Sequence, residues 1–444
     1  MLRINDLKIL KPLQIRDFAL LWTGMTVSLL GDGVYLVALA WQTYALSDAP
    51  TALSLVGVAW TAPMVLFLLV GGVASDRIDR RKILMLSDAI RGLAVLAIGA
   101  LSVAGELELW HMFVLVAVYG IGDAFFGPAF GAIVPDIVPT HLLLEANSLG
   151  QFVRPFAMRL AGPALGGLLI ATVGGGQAGP AFLVNGASFV VSALCIWLMV
   201  ARPLERATQS GGSVLGEVRE GLAFVRSQTW LWATLLSALI SLLFWVGPFE
   251  VLIPFVVKNQ IGGGADDLGL VFAAGGVGAV LAALIMAQVG LPRRHMLVMF
   301  WSFGIAIGSV SGFGFVTATW QALGVSFVEG VTSTIGMIIW GTLMHRLVPT
   351  ELLGRVESLD WLTSISLVPV SFAITGPIAE AIGVDATLIW SGILGGAGFL
   401  AFMLIPGVFD TEGDGRLAPP PPGEAAAPSA PPAPDAKERV GAGS

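Results

Sequence analysis

The chain has little of the chemistry from which enzyme sites are built. Among 444 residues there is one cysteine, and there are only four histidines and three tyrosines. A lone Cys195 excludes an intrachain disulfide, and its apolar surroundings make it an inert helix residue rather than a reactive thiol. His111, His141, His295 and His345 are scattered without metal-ligand spacing, so no metal is expected. No phosphate-cradling loop and no nucleophile motif occurs. The pattern is that of a protein that is not an enzyme and needs no cofactor. Without a nucleotide-binding loop, any work it does draws on an ion gradient or on its substrate's own gradient.

Charge is the next scarcity. Charged residues make up 12% of the chain, about half of what a soluble domain carries. With 56% hydrophobic residues and a mean hydropathy of +0.85, the chain cannot cover a globule with polar side chains. Its apolar runs recur at the length of about 20 residues that a bilayer-spanning helix needs. It therefore reads as an all-α, polytopic membrane protein with lipid for a neighbour and no nucleic-acid partner. The 56 glycines fit this reading, because small residues let helices approach closely in lipid. The opening MLRINDLKILKPLQIRD is polar and basic, and the run after it is too long for a signal peptide.

Twelve spans are expected, at about 18–46, 52–74, 83–104, 109–134, 143–173 and 180–201, then 230–257, 267–289, 295–313, 315–344, 357–382 and 386–408. They divide the chain into an N-terminal arm (1–17), a six-helix bundle (18–201), a linker (202–229), a second six-helix bundle (230–409) and a Pro/Ala-rich tail (410–444). The tail has little to bury and is expected to be disordered. In the linker, Val214, Leu215, Val218, Leu222 and Val225 recur at helical spacing and predict an amphipathic helix on the inner membrane face. Lys and Arg cluster in alternate loops, whereas Lys258 is the one basic residue at the other ends. That bias predicts that both termini face the cytoplasm. Trp22, Trp110 and Trp230 suit interface anchors.

The halves repeat. VPTHLLLEANSL at 138–149 matches VPTELLGRVESL at 348–359, and each precedes a span containing Gly-Pro. Two pseudo-symmetric six-helix bundles related in this way are a transporter architecture, with the substrate site between them near the midplane.

Two motifs carry a resemblance. GGVASDRIDRRK (71–82), between spans 2 and 3, resembles the loop signature of the major facilitator superfamily at Gly72, Asp76, Arg77, Arg80 and Arg81. Ala74 and Asp79 depart from it, and nothing in the sequence explains Asp79. GPALGG resembles the antiporter signature of the fifth span at Gly162, Pro163, Gly166 and Gly167, with Met158 in place of its leading glycine. FGPAFGAIVPDIVPTHLLLEANSL and the EGLAFVR linker are similar to the branch of siderophore, macrolide and Tap-like multidrug exporters. The resemblance covers about residues 15–408. It implies a monomeric, proton-driven exporter of amphipathic small molecules in the cell membrane. It further implies a cytoplasmic gate in which Asp76 meets a helix of the other half and Arg80 pairs with Asp136. The alternatives are export of an endogenous siderophore or metabolite, and a non-transporting membrane sensor on the same scaffold.

Ionisable residues within spans are costly in hydrocarbon and are functional candidates by default. Asp32 in span 1 is the first candidate for proton coupling and Asp123 in span 4 the second, with Arg154, Arg159 and Glu329 beside them. The family's antiporter pattern places an Arg four residues before a Gly-x-Gly in span 4. Here Gly120-Ile121-Gly122 is preceded by Val116, and Arg154 or Arg159 is expected to substitute. Pro163 is expected to kink span 5. Tyr35, Phe244, Trp245, Glu250 and Trp340 are the candidate lining of a mostly apolar substrate cavity.

Overall fold

A computed structural model describes residues 8–200 and 214–413. Twelve helices are long and apolar enough to cross a bilayer. Spans 1 to 6 are Arg16–Leu46, Pro50–Ser75, Arg80–Ala104, Leu109–Ile137, Thr140–Thr172 and Gly179–Trp197. Spans 7 to 12 are Thr229–Gln260, Ala265–Val289, His295–Phe313, Thr319–Leu347, Thr350–Ile382 and Val384–Leu404. All twelve expected spans are present; span 11 begins seven residues earlier than the 357 expected, at Thr350, because its repeat sequence is already helical. The chain is an all-α membrane protein of two six-helix bundles. The side on which span 1 begins and span 12 ends carries the Lys/Arg-rich loops and is called the basic side; the opposite side is the acidic side. Of the tail expected at 410–444, Asp410–Gly413 form a short helix rather than a disordered segment, and 414–444 lie outside the described residues.

Asp79 has a clear local role. Its carboxylate accepts from the Arg81 N–H at 3.0 Å and caps the start of span 3. A glycine there would leave that donor to water. Asp79→Ala is expected to lower stability by about 1 kcal/mol, visible as a small fall in the unfolding temperature of the detergent-solubilised protein.

Two spans are broken where proline removes a helix donor. In span 5 the turn Phe156–Ala161 is a π-helix, and the Gly162 N–H donates to Ala157 O five residues back. Pro163 follows. In span 7 Pro248 opens a second π-turn, Pro248–Leu252. Such turns rotate the helix face beyond them and occur often at functional sites.

The halves meet along two seams, span 5 against span 8 and span 2 against span 11. GPALGG serves both its own half and the seam. A Cβ on Gly162 would lie 2.6 Å from the Gly33 Cα of span 1, while one on Gly167 would lie 2.5 Å from Ala265 O of span 8. Among the described residues, Tyr44 Oη donates to Val251 O at 2.8 Å, Lys258 Nζ donates to Tyr44 O, and the Thr51 N–H donates to Glu380 at 3.2 Å. These hydrogen bonds close the acidic side. Toward the basic side Leu69, Phe152, Met337 and Trp361, on spans 2, 5, 10 and 11, are exposed. The molecule is closed on the acidic side and open on the basic side.

The linker helix, Val214–Ser227, is where the amphipathic pattern predicts it. It docks on the basic end of span 11, with Gly221 against Arg355 and an Arg355–Glu220 ion pair. The side chains of Val214, Leu215 and Val218 lie outside the described residues. Val225 shares a buried apolar cluster with Trp230, which is 3% exposed and packs edge-on to Trp340 at 6.0 Å. Trp230 is therefore a core residue and not an interface anchor. Trp110, more than half exposed, fits the anchor role.

Candidate functional site

The charged loop between spans 2 and 3 is held within the first half. Arg80 pairs with Asp136 at the end of span 4, as the resemblance implies, and also donates to Ala132 O at 3.0 Å. Arg81 donates to Ile196 O at 2.8 Å and to Trp197 O, satisfying carbonyls at the end of span 6. Arg77 is exposed. Gly71 approaches span 4, where its Cβ would lie 2.5 Å from Ala124 O, but Gly72 has open space around it. The side chain of Asp76 lies outside the described residues.

Asp32 and Asp123 do converge, and the cation between them is Arg91 of span 3. Its guanidinium donates to Asp88 at 2.7 Å and lies 3.5 Å from Asp123 and 3.9 Å from Asp32. Tyr119 Oη donates to Asp32 at 2.9 Å. Phe126 and Phe189 flank the guanidinium, their ring centres 4.2 and 4.6 Å from its carbon. Such stacking suits Arg, whose planar, weakly hydrated head tolerates burial. Arg154 and Arg159 do not take part. Arg154 is exposed without an ion pair among the described residues, and the π-turn aims Arg159 at the other half. Asp88 and Arg91 were legible but overlooked, because they follow a basic loop and resemble topology anchors. Arg91 lies eight residues beyond Ile83, about 12 Å into the span, too deep for a loop charge.

Arg159 crosses the seam to Glu329 of span 10, at 3.7 Å, with Glu250 of span 7 within electrostatic reach of both. Toward the basic side a cavity of about 220 Å³ opens in the second half. Trp245, Trp340, Phe303 and Phe399 form its apolar wall, and Arg159, Glu329 and Asp360 supply its charge. Asp360 of span 11, a further in-span acid the sequence reading passed over, accepts from the Trp340 side chain.

Three expected cavity residues lie elsewhere. Phe244 lines a separate groove between spans 7, 11 and 12, because it is one step round the helix from Trp245. Tyr35 is fully buried, stacked on Tyr119 at 4.7 Å inside the first half. Glu250 sits on the π-turn beyond the cavity floor and does not line it.

Two six-span bundles, small-residue seams between them, and a charged, apolar-walled cavity open to one side define a transporter of the major facilitator class. Within that class the chain belongs to the family described as transmembrane secretion effector, whose profile matches residues 8–413. It is similar to the multidrug efflux pump Tap of Mycolicibacterium fortuitum, at 28% identity over 85% of this chain and 91% of the relative. Macrolide efflux protein A of Streptococcus pyogenes is 23% identical over 85% of this chain and 93% of its own. In fold it resembles a bacterial homologue of the iron transporter ferroportin in its inward-facing state, with a TM-score of 0.66 at 17% identity, over 88% of this chain and 99% of that one. The outward-facing state of that homologue gives 0.55 at 18% identity, over 87% and 99%.

Proposed function

We propose that the protein is a proton-coupled exporter of amphipathic small molecules, working as an antiporter by alternating access. The observation that carries the reading is the group formed by buried Arg91, Asp32 and Asp88 with the partly exposed Asp123 at its edge. One guanidinium cannot balance three carboxylates in a low-dielectric site, and a proton cancels part of the excess. Asp32 is the group placed to take it. Tyr119 holds one of its oxygens, and its other oxygen has the longest of the three contacts to Arg91. The named activities of the Tap and macrolide relatives support export.

The basic side is the cytoplasmic one in this reading, in keeping with the positive-inside rule. Both termini then lie in the cytoplasm, the chain resides in the cell membrane as a monomer, and the structure is the inward-open state. Substrate enters the cavity between Trp245 and Trp340. The loop that leads into Arg80 and Arg81, with Asp136 of span 4 paired to Arg80, forms the rim of the cytoplasmic gate. It stays attached to the first half while that half rocks.

The test is transport of a fluorescent lipophilic dye in vesicles containing the purified full chain. An imposed pH gradient is expected to drive dye movement, and collapsing the gradient to stop it. Asp32→Asn should lower the gradient-driven rate by at least roughly tenfold, a loss of about 1.4 kcal/mol. Export by Asp32→Asn at the wild-type rate, with unchanged pH dependence, removes Asp32 from coupling.

A further inference from the structure

The structure holds a second group with more acids than cations, and this one straddles the two halves. Glu329 is 1% exposed, and its Oε1 has no hydrogen-bond partner. Its Oε2 lies 3.7 Å from Arg159, whose own side chain is 45% exposed, and the carboxylate also accepts a hydrogen bond from Ser333. Glu250 is the second carboxylate facing the same guanidinium. The Arg159–Glu329 pair is the one ion pair between the bundles among the described residues, and Arg159 and Glu250 each lie on a distorted helix. Arg159 lies in the π-turn of span 5, with its carbonyl packed where a Cβ on Gly276 of span 8 would be 2.5 Å away. Glu250 lies in the π-turn of span 7.

The surroundings of Glu329 are otherwise nearly free of charge. Asp360 faces the same cavity from span 11, its carboxylate engaged by Trp340. Span 8 passes Glu329 at Gly275, and its charged residues, Asp266 and Asp267, are at its far acidic end. Span 9 presents Phe303 and Ala306, with His295 only at its basic end. Ser333 lies one turn along span 10. Among the described residues no cation but Arg159 is near enough to stabilise the carboxylate, and Arg159 belongs to the half that moves.

We propose that Glu329, with Glu250, is a second proton site, and that Arg159 displaces its proton when the halves meet at the midplane. With the seam apart, Glu329 carries the proton as a neutral carboxyl. When Arg159 arrives, the O–H bond breaks, the proton leaves to water in the cavity, and the carboxylate pairs with the guanidinium. The cavity opens to the basic side in this state, so the proton is released there. Arg159 is thus an internal cation that empties the site once per cycle. Its role in transport rests on the proton-coupled reading above, whereas the site and its link to the seam do not.

The experiment follows the seam rather than transport. Leu144→Cys and Arg346→Cys, at the basic ends of spans 5 and 10, are spin-labelled in the full chain carrying Cys195→Ser. Inter-label distances are then measured in lipid nanodiscs between roughly pH 5 and 9, the range over which buried carboxyls titrate. The otherwise wild-type protein is expected to shift from a shorter to a longer distance as pH rises. Glu329→Gln should hold the acid-like distance throughout, and Arg159→Ala should lose the pH response. Glu250→Gln should move the midpoint by about one pH unit.

A flat wild-type profile overturns the proposal, as does a wild-type response in both Glu329→Gln and Arg159→Ala. If Glu329→Gln fails to fold, Arg159→Ala and Glu250→Gln decide the matter. A seam that titrates in a protein moving no dye defeats the exporter reading and leaves this site standing.

Discussion

Arg91→Ala is expected to destabilise the folded protein by about 3–5 kcal/mol, the usual result of removing one partner of a buried charge group. The size follows from what Arg91 holds. Asp88 is fully buried and takes its hydrogen bond from this guanidinium, and Asp32 and Asp123 share the same cation. Alanine leaves all three without it and also removes the stacking between Phe126 and Phe189. Proton uptake by the acids recovers part of the loss, so the variant should be more stable at low pH than at high pH relative to wild type. Arg91→Lys keeps the charge but loses the planar fork and the stacking, and should fall in between. Thermal unfolding of the purified protein across pH measures both variants. An Arg91→Ala protein that unfolds with wild type and still exports would show that the three acids are balanced some other way.

Gly167→Leu is expected to shift the protein toward the state open on the acidic side. A Cβ at this position would be 2.5 Å from Ala265 O, 3.0 Å from Asp266 Cα and 3.1 Å from Gly269 Cα. All three are backbone atoms of span 8, so no rotamer change relieves the overlap. Because the clash lies on the seam, each bundle can keep its own packing while the contact between them opens. Overpacking of this kind costs roughly 1–3 kcal/mol, a change in the ratio of states of about fivefold to 150-fold. A cysteine at Thr51, which packs against Gly376 on the other seam, should react faster with a water-soluble maleimide in Cys195→Ser protein bearing Gly167→Leu. Unchanged reactivity would mean that the span 5 and span 8 contact does not control the acidic side.

Span number, the Gly-Pro repeat and the in-span place of Asp32 were readable along the chain because each rests on local composition or a contiguous motif, and the Arg80–Asp136 pair followed from the family resemblance. Partners across the fold were not. Asp32 needs a cation, but hydropathy does not say which helix supplies it, and Arg91 sits close enough to a basic loop to pass for an anchor. The π-turn at Phe156–Ala161 mattered more. Counted along a regular helix, Arg159 belongs on a face near span 1; the extra residue per turn swings it across to Glu329. Glu250 likewise lies on a π-turn, Pro248–Leu252. Trp230 misled for a different reason: it lies at a span end, but the linker helix roofs it. Asp79 departs from the family motif only in identity, since a cap is as useful there as a glycine.

The closure on the acidic side has a consequence for speed. Its described polar bonds are three hydrogen bonds, from Tyr44, Lys258 and Thr51. Each such bond contributes about 0.5–1.5 kcal/mol net, somewhat more where a charge takes part. The rest is close packing of glycines and apolar side chains, as where Phe372 meets Gly57 and Phe255 meets Tyr44, and between helices in lipid no hydrophobic force adds to it. The resulting energy well is shallow. Every additional 1.4 kcal/mol of depth would slow escape about tenfold, so a tighter joint would give a sturdier molecule that cycles less often. The sparseness of the bonding sets an upper limit on how long the carrier dwells between one release and the next.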